Sequence, residues 1–424
     1  MHDLRLVREQ MHLLRDGFAR RGKLDALGPI LDRLEGLEKE RRALITAVEE
    51  RKARRNSLTQ DVAQKKRAGE DAAAQVADSR ALGEEIARLE SDLSATESTV
   101  SGLMLELPNI TRDEVPAGDE THNALIREWG TPRLDATVRP HWDVATELGI
   151  LDLARGAKIS GTGFIVYRGL GAKMVRALIN LMLDTHTTAH GYEETWVPLV
   201  VNRTSMTGTA QLPKFEDDMY ALHGDDMFLI PTAEVPITNL YRDEILDVAE
   251  LPKALTAYSA CFRKEAGAAG KDTRGLLRVH EFDKVELVRY ATPDESLAEL
   301  EKLTGHAEAI LKLLELPYRV LLLAAGDTGF GSSKTYDLEV YAPGIGKWLE
   351  VSSCSNFGDF QARRMNIRYR PAAGEKPRFV HTLNGSGLAL PRIIAALLEH
   401  GQQADGSVAI PAALQPYLGT ARLG

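Results

Sequence analysis

Two long stretches near the start of the chain repeat apolar residues at alternating steps of three and four. In the first stretch the apolar positions are Leu34, Leu37, Leu44, Val48, Leu58 and Val62, with Arg41, Arg51 and Arg55 in the remaining positions of the repeat. In the second stretch they are Leu82, Ile86, Leu89, Leu93, Val100, Leu103 and Leu107. A 3.5-residue period predicts two helices, each with one narrow apolar seam. The break at residues 67–71 predicts a turn, so we expect an antiparallel helical hairpin, an arm on the order of 50 Å long.

The charges of this arm are divided between its two helices. The first helix carries the basic residues Lys39, Arg41, Arg42, Arg51, Lys52, Arg54, Arg55, Lys65, Lys66 and Arg67. The second carries the acidic residues Glu84, Glu85, Glu90, Asp92 and Glu97. Two interpretations stay open at this point: a solvated coiled coil with ion pairs between its helices, and a basic ridge for an RNA backbone.

The pattern changes after Pro108. Residues 116–119 (PAGD) are typical of a linker, and short β-rich runs follow. These runs are residues 163–167, 195–201, 257–262, 283–290, 318–323, 334–340 and 348–352, with helical patterns at 174–190 and 293–314. Several runs follow one another without a helix between them, which predicts a mostly antiparallel sheet flanked by helices. We therefore expect an α+β protein with a helical domain at 1–112 and a second domain at 113–424.

Composition narrows the class of protein. The 424 residues are 44% hydrophobic and 27% charged, as in a soluble globular protein, and no apolar run is long enough to span a membrane. The first ten residues lack the apolar stretch of a secretion signal. Two cysteines, Cys261 and Cys354, are too few for a disulfide framework and lack zinc-site spacing, so we expect a cytoplasmic protein without zinc.

Common phosphate and metal motifs are incomplete. The run 329–335 (GFGSSKT) resembles a P-loop, but Ser333 stands where the glycine before the lysine is needed. His186 and His190 are four residues apart on a predicted helix, but Thr187 replaces the glutamate of the zinc motif. We expect packing or surface histidines there.

Three segments, in order, resemble the three motifs of class II aminoacyl-tRNA synthetases. The first is a helix at 174–190 followed by a strand that ends at Pro198, similar to motif 1, which forms dimers. The second is residues 261–265 (CFRKE), a loop, and residues 278–286 (RVHEFDKVE), similar to motif 2. The third is residues 384–392 (NGSGLALPR), similar to motif 3, in which small residues lead into a helix. Pro391 departs mildly from the glycine that often precedes the arginine of this motif.

The resemblance to motifs 2 and 3 implies an ATP site. Arg263 is expected to hold the α-phosphate and the amino acid's carboxylate together, while Arg392 meets the γ-phosphate. Strand alternation is expected to put Glu265 on the same face as Arg263, where it accepts from the adenine amino group, and Phe282 offers the adenine a flat apolar face. The full ATP-binding set implied is Arg263, Lys264, Glu265, Val279, Phe282, Glu350, Val351, Ser352, Ser353 and Arg392, with Arg263, Arg392 and Glu350 as catalytic residues.

Two further segments resemble seryl-tRNA synthetases of the bacterial type. Residues 231–236 (PTAEVP) resemble the loop that lines the serine pocket, and residues 350–356 (EVSSCSN) resemble a strand on the ATP side. The serine-binding set implied is Thr232, Ala233, Glu234, Arg263, Glu286 and Ser386. Glu350 and Ser353 are implied as ligands of a Mg²⁺ that is shared with the phosphates.

The resemblance covers essentially the whole chain, including the long arm, and it implies a function. The expected enzyme is a homodimer that activates L-serine with ATP, releases pyrophosphate, and transfers serine to the 3′ end of tRNA-Ser and, where present, tRNA-Sec. The arm is then expected to grip the tRNA of the partner subunit. Two alternatives remain open: a paralogue that passes serine to another acceptor, and a catalytically inactive RNA-binding or scaffold protein.

Overall fold

The computed structural model describes residues 1–135, 137–266 and 274–424. The chain divides into two compact units. We call His2–Pro108 the helical unit. Asn109–Gly424 together with Met1 holds the segments expected from the sequence to carry catalysis, and we call it the catalytic unit. The assignment of residues 1–112 as a tRNA-binding domain remains a prediction.

The helical unit is built from helices. They are α1 (Leu4–Glu9), α2 (Met11–Arg20), α3 (Leu24–Ala68) and α4 (Ala73–Glu106). The predicted turn forms at Gly69, whose φ of 73° lies in the left-handed region that favours glycine. There Glu70 N donates to Lys65 O at 2.9 Å, so backbone carbonyls at the end of α3 are satisfied. The predicted helical hairpin is confirmed, and α3 begins earlier than the sequence pattern indicated.

The seam between α3 and α4 combines apolar and charged positions. Leu34, Val48, Ile86 and Val100 are buried, while the other predicted seam residues are buried or half-buried. Two of the three arginines in the remaining positions of the repeat reach across to α4. Arg41 Nε lies 3.0 Å from Glu97 Oε1, and Arg51 Nε lies 3.1 Å from Glu85 Oε1. Cross-helix ion pairs therefore occupy two of the positions where the repeat lacks apolar side chains.

The catalytic unit combines one large sheet with helices. Its helices are α5 (His141–Glu147), α6 (Leu153–Ser160), α7 (Leu170–Thr188), α8 (Arg203–Gly208), α9 (Glu234–Thr238), α10 (Ser296–Leu313), α11 (Phe360–Met365), α12 (Leu390–His400) and α13 (Gln415–Leu418). Its strands are β1 (Ala124–Trp129), β2 (Glu193–Glu194), β3 (Val200–Asn202), β4 (Met227–Leu229), β5 (Ile245–Asp247), β6 (Lys253–Phe262), β7 (Glu281–Ala291), β8 (Tyr318–Leu322), β9 (Lys334–Ala342), β10 (Lys347–Asn356), β11 (Arg368–Arg370), β12 (Arg378–Phe379), β13 (His381–Ala389), β14 (Val408–Ala409) and β15 (Arg422–Leu423).

Within the described residues, the large sheet has the strand order β1-β8-β9-β10-β13-β7-β6-β2. All neighbouring pairs are antiparallel except β2 with β6. Helices α7, α10 and α12 pack against the sheet and form the main hydrophobic core with it. The predicted fold, a mostly antiparallel sheet flanked by helices, is confirmed. Among the described residues, no helix is both long enough and apolar enough to cross a membrane.

Three strand predictions differ from the structure. Residues 163–167 form only a single bridge, from Tyr167 to Leu151, because Gly163 has a φ of 88° that an extended strand does not allow. In the run 195–201, ladder pairing begins only at Val200, after Pro198, which lacks a backbone donor. The central strand β13 was not predicted as a strand at all. Its glycines are needed for close packing, since a Cβ at Gly385 would lie 2.9 Å from Cys354 Sγ.

Candidate active site

Two adjoining cavities open beside strands β6, β7, β10 and β13. The larger has a volume of about 590 Å³ and the smaller about 120 Å³. The side chains that line both cavities are Arg263, Glu265, Arg278, Lys284, Glu350 and Ser386. Three of the predicted segments therefore meet at both cavities: motif 2 through β6 and β7, motif 3 through β13 and α12, and the 350–356 segment through β10. The 231–236 segment lines the larger cavity through Pro231, Thr232 and Glu234.

A buried ionic network forms one wall of the larger cavity. Lys284 Nζ lies 2.5 Å from Glu286 Oε2 and donates to Thr232 Oγ1 at 2.9 Å. Thr232 Oγ1 in turn donates to Glu286 Oε2 at 3.1 Å. Lys284 and Glu286 face the same side because alternate residues of β7 share a face. The other carboxylate oxygen, Glu286 Oε1, is buried and has no hydrogen-bond partner among the described residues.

A second buried carboxyl group, Glu234, lines the same cavity. Gln361 Nε2 donates to Glu234 Oε1 at 2.7 Å, and Gln361 is itself held by Thr382 Oγ1, which donates to its side-chain oxygen at 2.7 Å. Burial raises the pKa of Glu234 to about 7, and the charge of Glu286 adds to the rise. Burial likewise raises the pKa of Glu286, although Lys284 opposes that rise. Lys284 pairs directly with Glu286, and the charges of Lys284 and Arg263 only partly oppose the rise in the pKa of Glu234, so a bound cation would favour the ionised forms of both carboxyl groups.

Arg263 lies where β6 ends, between the two cavities. Its guanidinium carbon is 5.1 Å from the centre of the Phe282 ring. Its backbone is fixed by His280, since Arg263 N donates to His280 O at 2.9 Å. Within the described part of the chain, no carboxylate forms an ion pair with this guanidinium. It is therefore available to an anionic ligand in either cavity.

Glu265 lines both cavities, but the predicted reason for its position is wrong. Strand β6 ends at Phe262, so strand alternation does not carry Arg263 and Glu265 to one side. Glu265 instead has a φ of 51°, in the left-handed region, so the backbone turns at this residue rather than continuing as a strand. Its carboxylate pairs with Arg278 across the returning segment. Lys264 extends elsewhere: its ammonium lies 6.0 Å from the centre of the Tyr220 ring, and it lines neither cavity.

The smaller cavity is largely apolar on one side and cationic on the other. Its apolar lining includes Leu276, Leu277, Val279, Phe282, Val351, Ala389 and Pro391. Arg392, from the first turn of α12, is held by carbonyl groups: its Nη1 donates to Glu350 O at 2.7 Å and its Nε donates to Leu277 O at 3.2 Å. The cavity can therefore accept a flat apolar group beside a fixed positive charge.

Oxygen donors suited to a divalent cation meet at the larger cavity. Glu350 and Ser353 line it from β10, and Asp337 on β9 is the ladder partner of Ser353. Burial, reinforced by the charge of Glu350, raises the pKa of Asp337 well above its usual value. Asp337 Oδ1 is buried and lacks a hydrogen-bond partner among the described residues. This crowding of oxygen donors fits a hard cation such as Mg²⁺.

Two predicted site residues lie behind the cavities. Ala233 is fully buried in the core under α9, and Ser352 donates from its hydroxyl to Ser386 O at 2.7 Å. Residues of this region to which the sequence analysis gave no role include Lys284 and Arg278, which line both cavities, and Gln361, which holds Glu234. Lys284 had a signal, because it stands two residues before Glu286 on a predicted strand, whereas nothing in the sequence connects Gln361 with Glu234.

The predicted motif 1 histidines are packed rather than free. His186 is buried, its Nε2 lies 3.3 Å from Gly387 O, and its Nδ1 lies 3.0 Å from His190 Nδ1. Burial lowers the pKa of His186 to about 3, so the ring is neutral and can donate from Nε2 to the carbonyl. Helix α7 therefore supports β13 immediately beside Ser386.

Comparisons with known proteins agree with this arrangement. Residues 214–401 match the family model described as the tRNA synthetase class II core domain (G, H, P, S and T), and residues 1–111 match the seryl-tRNA synthetase N-terminal domain. The antiparallel sheet with its three motifs thus defines a class II aminoacyl-tRNA synthetase.

Relatives over the full length narrow this class. The serine--tRNA ligase of Gemmatimonas aurantiaca is 70% identical, and that of Heliobacterium modesticaldum is 57% identical, with each alignment covering 100% of both chains. The crystal structure of seryl-tRNA synthetase from Pyrococcus horikoshii complexed with ATP has a TM-score of 0.95 and 37% identity, covering 100% of this chain and 99% of that one. The chain belongs to the seryl-tRNA synthetase family, whose members join serine to tRNA.

Proposed function

We propose that the larger cavity binds serine and that the smaller cavity binds the adenine end of ATP, with Arg263 between them. In this proposal the chain forms seryl-adenylate and pyrophosphate, then transfers serine to the 3′ end of tRNA-Ser, and to tRNA-Sec where that tRNA exists. The single observation that carries the proposal is the pair of buried carboxyl groups in the larger cavity. Glu286 Oε1 has no hydrogen-bond partner among the described residues, and burial raises the pKa of Glu234 despite the charges of Lys284 and Arg263, which suits a small ligand that brings its own ammonium group.

Serine has the groups that this cavity lacks. Its ammonium group would donate to the unpartnered Glu286 Oε1, and its hydroxyl would lie between Glu234 and Thr232. Ser386 closes the side of the cavity toward ATP. Alanine would leave buried polar groups unpaired, which costs about 1–3 kcal/mol for each group, so the site would reject it.

ATP supplies an anionic partner for Arg263, and a stronger one for Arg392, whose Nη1 lies 3.5 Å from Glu350 Oε2. Arg263 would hold the α-phosphate and the serine carboxylate together, which aligns the carboxylate oxygen with phosphorus and stabilises the charge that develops there. Arg392 would meet the outer phosphates, and Phe282 with Val279 and Val351 would receive the adenine. Glu265 would exchange its contact with Arg278 for the adenine amino group. Lys264 and Ser352 line neither cavity, so the proposal gives them no direct contact with ATP.

Mg²⁺ is proposed to bind at Glu350 and Ser353 together with ATP. When bound, it would neutralise phosphate charge and favour departure of pyrophosphate. The support in this chain is chemical: both residues offer oxygen ligands beside Asp337, whose buried Oδ1 has no partner among the described residues. The Pyrococcus horikoshii enzyme was crystallised with ATP, which agrees with an ATP site in the family.

The transfer step requires tRNA, and we propose that the arm binds it. The basic residues of α3 that do not pair with α4, such as Arg42 and Arg54, are exposed and suit phosphate contacts. Recognition of this kind would read RNA shape and backbone more than sequence.

We also propose that the enzyme is a cytoplasmic homodimer. Trp196, beside the edge strand β2, is 81% exposed, and Leu199 is also exposed, as suits a surface that a second copy covers. Both cysteines are buried and unpaired, and burial raises the pKa of Cys354 to about 12, so these thiols suit a reducing compartment.

Two assays on the purified chain test the proposal. Serine-dependent exchange of pyrophosphate into ATP tests activation, and charging of purified tRNA-Ser tests transfer. Glu286→Gln should raise the KM for serine by about a hundredfold, since the ammonium would lose a charged partner. Glu339→Gln, a carboxylate outside both cavities, is the matched control. No exchange by the wild-type protein would contradict the proposed site, and exchange without charging would indicate a paralogue with another acceptor.

A further inference from the structure

A buried histidine outside the two cavities joins three segments of the catalytic unit. His141 begins α5 and Glu399 lies near the end of α12, and both side chains are 0% exposed. His141 Nδ1 is 2.8 Å from Glu399 Oε1, which also accepts from His141 N at 3.0 Å. Glu399 Oε2 accepts from Gly344 N at 2.8 Å, in the turn between β9 and β10. The carboxylate is therefore fixed at both oxygens.

The other ring nitrogen of His141 holds the segment that leads into β7. Leu276 N donates to His141 Nε2 at 3.1 Å. Since a backbone N–H can only donate, Nε2 must accept, and the ring proton must lie on Nδ1, toward Glu399. The preceding residue, Gly275, has a φ of 61°, and a Cβ there would lie 2.4 Å from His141 Nε2. Glycine is thus required for the segment to approach the ring this closely.

This segment also meets α12 at a second point. Leu276 and Leu277 line the smaller cavity, and Leu277 O accepts from Arg392 Nε at 3.2 Å. Arg392 and Glu399 are seven residues apart, about two helical turns, and so lie on one face of α12. Helix α12 therefore holds residues 276–277 by two routes. Arg392 contacts Leu277 O directly, and Glu399 acts through His141, which accepts from Leu276 N.

We propose that His141 is a positioning residue for the ATP reaction: it holds Leu276, and through the Leu277 carbonyl it fixes the guanidinium of Arg392. This inference rests on the proposed binding of ATP in the smaller cavity. His141 itself touches neither cavity. If His141 contributed only to stability, its substitution would lower the melting temperature and leave the ratio of the KM for ATP to the KM for serine unchanged. A positioning role changes the KM for ATP and spares the KM for serine.

Two substitutions of His141 test the roles of its two ring nitrogens separately. The side-chain oxygen of His141→Gln can take the place of Nε2 and accept from Leu276 N. The side-chain nitrogen of His141→Asn can take the place of Nδ1 and donate to Glu399, but it leaves Leu276 N without its acceptor. Both KM values would be measured by serine-dependent pyrophosphate exchange, below the melting temperature of each variant. We expect His141→Asn to raise the KM for ATP about tenfold, as loss of one buried hydrogen bond predicts, and to leave the KM for serine within about twofold. His141→Gln, which keeps an acceptor for Leu276 N, should have a KM for ATP within about threefold of the wild-type value.

Equal KM values for ATP in the two variants, or a parallel rise in both substrates' KM, would overturn the inference. If His141→Asn does not fold, Gly275→Ala displaces the same segment by bringing a Cβ against His141 Nε2 while it keeps the histidine itself, and it should raise the KM for ATP selectively. If the wild-type protein shows no exchange, the proposed function is contradicted. The role of His141 can then be tested separately by measuring the ATP affinity of each variant by calorimetry, and equal affinities would reject that role.

Discussion

One ion pair of the helical unit and one of the catalytic unit lie in opposite environments. In the helical unit the pairs between α3 and α4 are partly exposed: the side chains of Arg51 and Glu85 are 36% and 34% accessible. In the catalytic unit Arg289 lies 2.5 Å from Glu299, and both side chains are nearly inaccessible, at 8% and 3%. Solvent screens the first kind of pair, whereas the second depends on its partners to remain buried.

This difference indicates how each unit tolerates change. Loss of an exposed ion pair lowers the free energy of unfolding only slightly. The basic residues of the arm can therefore contact a partner such as RNA instead of the other helix of the arm. A buried network cannot lose one member without leaving a desolvated charge. The polar residues of the catalytic unit therefore act as a set, and the effects of substitution should differ between the two units by orders of magnitude.

Arg263→Ala should have the largest effect on activity. Without the guanidinium between the cavities, serine-dependent pyrophosphate exchange should fall by about a thousandfold, because charge on the α-phosphate is no longer stabilised. Arg370→Ala, an exposed arginine of β11, is the matched control and should retain full exchange. Binding of tRNA-Ser, measured by filter retention, should be unchanged in both variants. Normal exchange by Arg263→Ala would remove this residue from the reaction.

Shortening the arm should have the converse effect. Replacing residues 42–96 by a short glycine-serine turn removes the exposed basic surface of α3 and keeps the base of the hairpin. Exchange should stay within about twofold of the wild type, while charging of tRNA-Ser should fall by more than about tenfold, because several phosphate contacts are lost. A full-length variant with Arg42 and Arg54 changed to glutamine controls for the deletion. Undiminished charging by the shortened chain would contradict RNA binding by the arm.

The two units also differ in how far their sequences predicted them. The seam of the arm follows a local repeat, and therefore Leu34, Val48, Ile86 and Val100 could be assigned to it directly. In the catalytic unit the strands β6 to β10 were predictable from β-rich runs. Strand β13 was not, because glycines at 385 and 387 weaken its local preference, and it forms only because β7 and β10 pair with it on both sides.

The same distinction holds inside the candidate site. The resemblance of short sequence motifs predicted roles for Arg263, Glu286, Glu350 and Arg392; those roles stay predictions, and all four residues line the cavities. Gln361 could not be identified in this way, because its contact with Glu234 joins residues 127 positions apart in the chain. Such pairs depend on tertiary packing, which has no local signal in one sequence.

The pH dependence of serine binding should show the effect of burial on the ionisation of Glu234. Burial raises the pKa of Glu234 from 4.5 to about 7, so the carboxyl group gains its charge mainly between pH 6 and 8. If the ionised form receives serine, the KM for serine should fall up to about tenfold across that range. Glu234→Gln should remove this dependence, while Glu70→Gln, at the tip of the arm, should retain it. A flat profile in the wild type would mean that Glu234 does not ionise in the serine step.

The sign of the stability effect of Glu234 can be checked independently. A carboxyl group whose pKa is higher in the folded state keeps a proton that the unfolded chain has already lost above pH 4.5. Its contribution to the free energy of unfolding is therefore fully present below about pH 4.5 and is lost as the pH rises through about 7. The difference between the wild type and Glu234→Gln should follow that window.

The smallest effect is expected for the exposed pair of the arm. Glu85→Gln should lower the stability of the helical unit by about 0–1 kcal/mol, because solvent screens its contact with Arg51. The matched substitution in the catalytic unit, Glu299→Gln, should cost about 3–5 kcal/mol, because Arg289 would remain buried without its carboxylate. Hydrogen exchange detected by mass spectrometry reads both units in the full chain, through the amides of α4 and of β7.

The contrast between these two substitutions separates burial from pairing itself as the source of stability. If ion pairing alone mattered, the two glutamines would have similar effects, since both pairs are in direct contact, with N–O distances of 3.1 Å in the arm and 2.5 Å in the core. If burial matters, only Glu299→Gln should accelerate exchange, and added salt should weaken the arm pair while leaving the buried pair almost unchanged. A loss above about 2 kcal/mol for Glu85→Gln would exceed the range of exposed pairs. It would mean that the arm depends on its cross-helix charges for folding, and those arginines could not then be reserved for RNA.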